Sequence, residues 1–359
     1  AATWYHASHY PDFWAAAAPF CGYCDYKLWE KPGGTTFHRQ PWEERSWISR
    51  DAAYRVENLR HVPVRITHGE WDRAVGGGVP VEHSRQMDRK LSALGYPHRY
   101  VEVPRTGHGC RLPGLWEETI VWLLDQERTP DPGWVSLTVH TLRHNRTRWV
   151  AVEQQMVYGN PSTVDATVNA ARDRLEAKTE NVRRLALGPV PRASAATLVL
   201  DGSTLERTDL TSIRRFVRWA DGSWAPDAGG IPVEEKRPGL SGPFGDLFFE
   251  PIVLVYGASG SDVESELNRL MARNAASFFR EENGGVHRGG IRGDNSVEIP
   301  IASDKDALAV LDSTAPGAGP RGAISRDLLE RANLFLISNA NSNAVLARLA
   351  GSLPVRFSG

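Results

Sequence analysis

The sequence predicts a mixed α/β chain in three parts: a mostly parallel sheet with helices, an antiparallel β-sandwich, and a second small α/β unit. Three observations predict it. Residues 1–127 alternate strand-like with helix-like segments. Residues 134–225 change to short runs with a period of two, as in an Ig-like sandwich. Over 244–359 the strand-then-helix order returns, as a three-layer unit. Two turn-rich stretches, Arg128–Gly133 and Pro226–Pro243, separate the parts.

In the first part, Thr3–Tyr10 reads as a short helix stopped by Pro11, and Phe13–Phe20 contains an apolar strand. Val62–Thr67 is rich in β-formers. Val81–Leu94 places apolar groups at Val81, Met87, Leu91 and Leu94, a helical spacing ended by Gly95. Arg99–Val103 alternates as a strand, and Leu115–Leu124 predicts a helix with one broad buried face. In the second part, strands are expected at Trp134–Thr141, Arg148–Gln154, Val164–Ala170, Arg174–Thr179, Asn181–Leu187 and Ala195–Leu200. Trp134 and Trp149 are expected in their core. In the third, Ile252–Tyr256, Val297–Ile301 and Asn333–Ile337 read as strands, and Ser261–Phe279, Asp304–Leu311 and Asn341–Leu349 as helices. Pro354–Phe357 starts another strand on this reading, so the unit is expected to be truncated.

Composition narrows the function classes. The chain has 359 residues, a hydrophobic fraction of 41% and a formal net charge of −1. Near-neutral charge, with no basic run, gives nucleic acid no electrostatic footprint. The apolar stretches are too short to span a bilayer. The chain opens on Ala1-Ala2-Thr3 without an initiator Met, inside an expected helix, and reads as a fragment or processed product. A periplasmic or extracellular location is expected.

One segment carries chemistry. Val62–Thr67 is followed by His68-Gly69-Glu70-Trp71-Asp72, and the next strand by Thr106-Gly107-His108-Gly109. A carboxylate just past a strand end lies at the rim of an α/β sheet, where ligands bind. The order strand, Asp, helix, strand, His is the end of an α/β-hydrolase triad, which runs Ser, Asp, His. His108 would take the serine proton and return it to the leaving group. Asp72 would hold the imidazole tautomer. Gly107 and Gly109 would let the loop bring the ring to the nucleophile.

The segment Asn58–Gly109 resembles the end of the catalytic domain of prolyl oligopeptidase-like serine peptidases. The matching pieces are His68-Gly69-x-x-Asp72, Glu82-His83-Ser84 opening a helix, Leu94-Gly95 and Gly107-His108-Gly109. Ala1–Asp12 resembles the helix after that family's G-x-S-x-G-G elbow, and Phe13–Pro19 the strand that follows. The resemblance implies that the first part is the C-terminal part of an α/β-hydrolase sheet, with Asp72 and His108 as triad members. On that register the nucleophile precedes Ala1. No G-x-S-x-G occurs in the chain, which alone is expected to be inactive. Gly76-Gly77-Gly78 departs from the family by lengthening the loop after Asp72. Lys236–Pro243 with Phe248 and Pro251 resembles the C-terminal portion of large bacterial members of the superfamily.

The implied activity is a serine hydrolase acting on peptide or ester bonds, with no cofactor and no metal. A carboxylesterase of feruloyl- or acetyl-ester type uses the same triad. A non-catalytic glycan- or protein-binding scaffold is the rival from another class. Cys21-Gly22-Tyr23-Cys24 has redox spacing but no helix periodicity after it, so two small residues under a loop are expected. Gly257-Ala258-Ser259-Gly260 lacks the Lys-Ser/Thr of a phosphate loop and reads as a tight turn. His68 is expected as a buried scaffold residue, and His6 and His9 on a helix surface. The spacing of His140 and His144 does not put both on one strand face. Trp29, Trp42 and Trp47 are expected in a lid or substrate wall.

Overall fold

A computed structural model describes residues 2–29, 40–73, 78–110, 112–242, 247, 250–283, 299–313 and 324–352. The chain divides into two units, residues 1–241 and 242–359. Both are mixed α/β, and most strand pairs in the first are antiparallel.

The first unit begins with α1 (Ala2–His9), whose Trp4, Ala7 and Ser8 are buried. Residues 17–20 then run parallel to β1 (Val64–Gly69), bridging Ala17 to Val64 and Phe20 to Thr67. On its other edge β1 pairs in parallel with β2 (His98–Val103), from Val64 opposite His98 to Gly69 opposite Val103. Flanked on both edges, β1 is buried at every position, as a central parallel strand should be. Between α1 and β1 lies α2 (Pro41–Ile48).

Helix α3 (Glu82–Leu94) crosses from β1 to β2 and buries His83, Ser84, Met87 and Leu91, one stripe at helical spacing. Gly95 ends it with φ of 66°, in the left-handed region that glycine enters without strain. Helix α4 (Leu115–Leu124) forms where expected, but the broad buried face does not. Leu115 and Thr119 are buried; Trp116, Ile120, Val121 and Leu124 are exposed, Leu124 by 83%. Its apolar residues spread around most of the helix, and only the turn that touches Val103 and Phe20 is covered.

Beyond the 128–133 linker come two five-stranded sheets. One has β3 (Trp134–Val139), β6 (Ser162–Val168), β7 (Arg174–Glu180), β9 (Ala196–Leu200) and β10 (Ser203–Thr208). The other has β4 (Arg146–Thr147), β5 (Val150–Gln155), β8 (Val182–Leu187), β11 (Arg214–Arg218) and β12 (Trp224–Pro226). One pair, β7 with β9, is parallel rather than antiparallel. Alternate residues of both sheets meet in one core that includes Leu137, Val152, Leu175, Leu185, Leu198 and Phe216. Trp149 joins it. Trp134 does not: it is 45% exposed, beneath the Arg60 guanidinium, whose carbon lies 3.5 Å from the ring centroid. It lies on the face of β3 opposite Val135, Leu137 and Val139, which fill the core.

The two parts of this unit are joined by directed bonds. Asn58 donates to the Ser8 and Thr138 carbonyls and accepts from the Thr138 N–H at 2.7 Å. Asp12 accepts from the Arg148 N–H at 2.7 Å.

In the second unit β13 (Ile252–Tyr256) lies between β14 (Ile301–Ser303) and β15 (Asn333–Ile337), all parallel. The helices are α5 (Asp262–Asn283), α6 (Asp304–Asp312), α7 (Arg326–Arg331) and α8 (Ala344–Leu349). α7 has no counterpart in the sequence expectation. Val253, Val255, Ala307, Val310 and Leu329 form the core. α5 contributes Ala272 and Asn268 to the buried side, while Val263, Leu267 and Met271 are exposed. The expected strand at 354–357 lies outside the described residues, as does Phe248.

Candidate active site

Three parallel segments end at one edge. Cys21 follows the strand segment 17–20, Asp72 follows β1, and His108 follows β2. The loops after β1 and β2 are laced together: the Trp71 N–H donates to the Thr106 carbonyl at 2.8 Å, and the Arg105 N–H to Glu70 Oε2 at 2.8 Å. At Gly69 a β-carbon would collide with the Gly107 carbonyl, so the loops approach this closely only with glycine there.

The lacing brings the two expected site residues together. His108 Nδ1 lies 2.8 Å from Asp72 Oδ2. The Asp72 side chain is buried, and the His108 side chain is 55% exposed. Asp72 Oδ1 accepts from the Val79 N–H at 3.0 Å. Because a carboxylate oxygen only accepts, His108 must donate from Nδ1, which leaves Nε2 with a lone pair. Residues 76 and 77 of the glycine-lengthened loop lie outside the described residues.

His68 supports this pair. It is fully buried, and its Nε2 lies 2.9 Å from the Val79 carbonyl and 3.1 Å from Asp72 Oδ2. The carbonyl requires a proton on Nε2, so Nδ1 accepts from Ser84 Oγ at 2.6 Å. Burial lowers the His68 pKa, favouring the neutral ring that this network requires. Ser84 lies in the first turn of α3, so that helix anchors the carboxylate loop through His68.

No family model matches the chain. It is 29% identical over 241 residues to an uncharacterized secreted protein of Arthroderma benhamiae, covering 62% of this chain and 25% of that protein. The chain thus spans a quarter of that relative's length.

The cysteines fall out differently from their sequence spacing. Cys21 and Cys24 are both buried, but they do not face each other. Cys24 Sγ lies 3.2 Å from the His83 carbonyl, and burial raises its thiol well above the usual range. Cys21 Sγ lies 2.8 Å from Cys110 Sγ. Cys21, Asp72 and His108 form the one group of three potential metal ligands among the described residues. Asp72 is bonded to His108 and the Val79 N–H, and Cys21 faces Cys110.

Other expected residues separate from the site. His6 is exposed, but His9 is buried rather than on a helix surface, stacked on Tyr5 at 3.8 Å between ring centroids. It is covered because the two-sheet part packs on α1, bringing His144 to 4.7 Å from the same ring. His140 and His144 bond separate partners, the Tyr54 carbonyl and the Tyr5 hydroxyl. Trp47 is half-buried against Tyr26. The side chains of Trp29 and Trp42 lie outside the described residues. Trp71, one residue before Asp72, is 54% exposed and is the aromatic nearest the pair in sequence. In the second unit the Ala258 N–H and Ser259 hydroxyl donate to buried Asp304 at 2.8 and 2.7 Å. That glycine turn therefore holds an internal carboxylate.

Proposed function

We propose that Asp72 and His108 are the acid and general base of a Ser-His-Asp triad, in a serine hydrolase of the prolyl oligopeptidase-like, α/β-hydrolase type. One observation carries the reading: a fully buried carboxylate holds Nδ1 of a half-exposed imidazole at 2.8 Å, at the ends of two adjacent parallel strands. Such a pair leaves Nε2 as the base and stabilises the imidazolium once it forms. His108 Nε2 takes the proton of a serine hydroxyl as its oxygen attacks an acyl carbon. The ring then gives that proton to the departing amine or alcohol. Water, deprotonated by the same nitrogen, releases the acyl group. In this reading the nucleophilic serine, and the backbone N–H beside it that stabilises the oxyanion, belong to a segment outside these 359 residues. The two sheets beyond the linker form an accessory β-sandwich. The secreted relative supports an extracellular setting.

A fluorophosphonate serine probe tests the reading on this chain alone and on a longer polypeptide carrying the serine segment that the reading requires. The longer polypeptide should label at one serine, and this chain should not. His108→Ala should abolish labelling, and Asp72→Asn should lower kcat by about 10⁴-fold. Labelling of this chain alone, or unchanged turnover by His108→Ala, defeats the proposal. Peptide amides set against aryl and acetyl esters decide between peptidase and carboxylesterase. No labelling of the longer polypeptide leaves the scaffold as a binding protein.

A further inference from the structure

The two thiols beside the candidate triad are placed as a pair. Cys21 and Cys110 stand 89 positions apart in the chain, yet their sulfurs lie 2.8 Å apart. Both residues are buried, at 6% and 1% exposure. Both backbones are in the left-handed region, with φ of 44° and 42°. Residues with a β-carbon pay for that conformation, so two facing each other mark a built arrangement. Each backbone is held there: the Cys21 N–H donates to Thr67 and the Cys110 N–H to Gly107. Cys24, the sequence partner of Cys21, is occupied with His83 and Gln86.

We infer that Cys21 and Cys110 form a disulfide in an oxidising setting, and that this bond ties the His108 loop to the end of the strand segment 17–20. The sulfurs need to close by less than an ångström to reach bonding distance. The oxidant is a small-molecule disulfide such as oxidised glutathione. The two sulfurs share one hydrogen bond in which either can donate, and Cys110, on the loop that opens to solvent, is taken as the attacking group. Its thiolate attacks one sulfur of the oxidant and expels a thiolate, which takes up a proton. Cys21 then loses its proton and attacks the Cys110 sulfur of the mixed disulfide, expelling the second thiolate. Two protein thiols are oxidised, and one external disulfide becomes two thiols. Opening of the exposed Gly107–Gly109 segment admits the oxidant; during folding no opening is needed.

The bond joins the residue two places after His108 to a strand neighbouring the Asp72 strand. It restrains the imidazole without touching substrate, so Cys110 is a positioning residue. The inference stands on thiol geometry and does not require the hydrolase reading.

The test uses the full chain, both incubated natively with oxidised glutathione and refolded in a glutathione redox buffer. Free thiols are alkylated and peptides mapped by mass. A Cys21–Cys110 linked peptide with Cys24 alkylated is expected, and Cys24→Ser should leave the link intact. Amide exchange over residues 107–110 should be slower in the linked form by about tenfold or more. Cys21→Ala and Cys110→Ala, each checked for folding by circular dichroism, should show no oxidant-dependent slowing. Separate alkylation of Cys21 and Cys110 after both treatments overturns the inference, as does a bond from either to Cys24. A linked form with unchanged exchange overturns the tether.

Discussion

Asp72 meets three partners: the Val79 N–H, the His68 ring and His108. A buried carboxylate survives only when its lone pairs are satisfied, and here each contact also sets an orientation. The contact that holds the two loops together is steric as much as polar. Gly69 must lack a β-carbon because the Gly107 carbonyl occupies that space, and the obstacle is backbone, which cannot rotate away. Gly69→Ala should therefore push the loop carrying His108 off the loop carrying Asp72, at a cost of about 1–3 kcal/mol. Chemical denaturation measures the loss. The same variant should speed amide exchange at residues 105–109 more than elsewhere; uniform exchange changes would contradict the local account.

At the scale of elements, α3 and α4 illustrate how burial, rather than composition, decides what a helix contributes. α3 is the more polar, yet Met87 and Leu91 are wholly buried against the sheet part. α4 is apolar through most of its length, yet Leu124 is 83% exposed. Leu91→Ala removes packed methyl groups and leaves a cavity, so it should cost about 2–5 kcal/mol. Leu124→Lys exchanges one solvated group for another and should change stability by no more than about 0.5 kcal/mol. Urea midpoints of the two variants, compared with the parent, test this; a larger loss in the α4 variant would show its face to be packed in solution. Sequence alone points the other way, because α4 has the stronger apolar signal.

For the first unit as a whole, buried histidines set the response to acid. Burial, with the Arg55 charge as second cause, lowers the pKa of His9 to about 2, of His140 to about 4 and of His144 to about 3. Burial takes His83 to about 4. The unfolded chain takes up these protons near pH 6.5, before the folded one does, so stability should fall as pH drops from about 6.5 toward 4. Each histidine contributes on the order of 1 kcal/mol per pH unit in that window. Asp51 opposes this: burial raises it to about 6, so the folded state gains protons first and is favoured between about pH 6 and 4. Four groups against one should leave a net loss of several kcal/mol between pH 7 and pH 5, read from urea midpoints at the two pH values. Equal midpoints would show that those rings are not buried neutral. The sequence by itself determined most of the strands and helices and the order in which Asp72 and His108 follow theirs, since hydrophobic period and turn residues act within a dozen positions. The tertiary structure alone decided that His68 and Ser84 brace Asp72, that Cys21 faces Cys110 and not Cys24, that His9 is buried, and that α4 and α5 leave apolar residues in solvent. Those contacts join residues far apart in the chain through parallel pairing of three strand ends and packing of the two-sheet part on α1. Sequence spacing does not encode which distant surfaces meet.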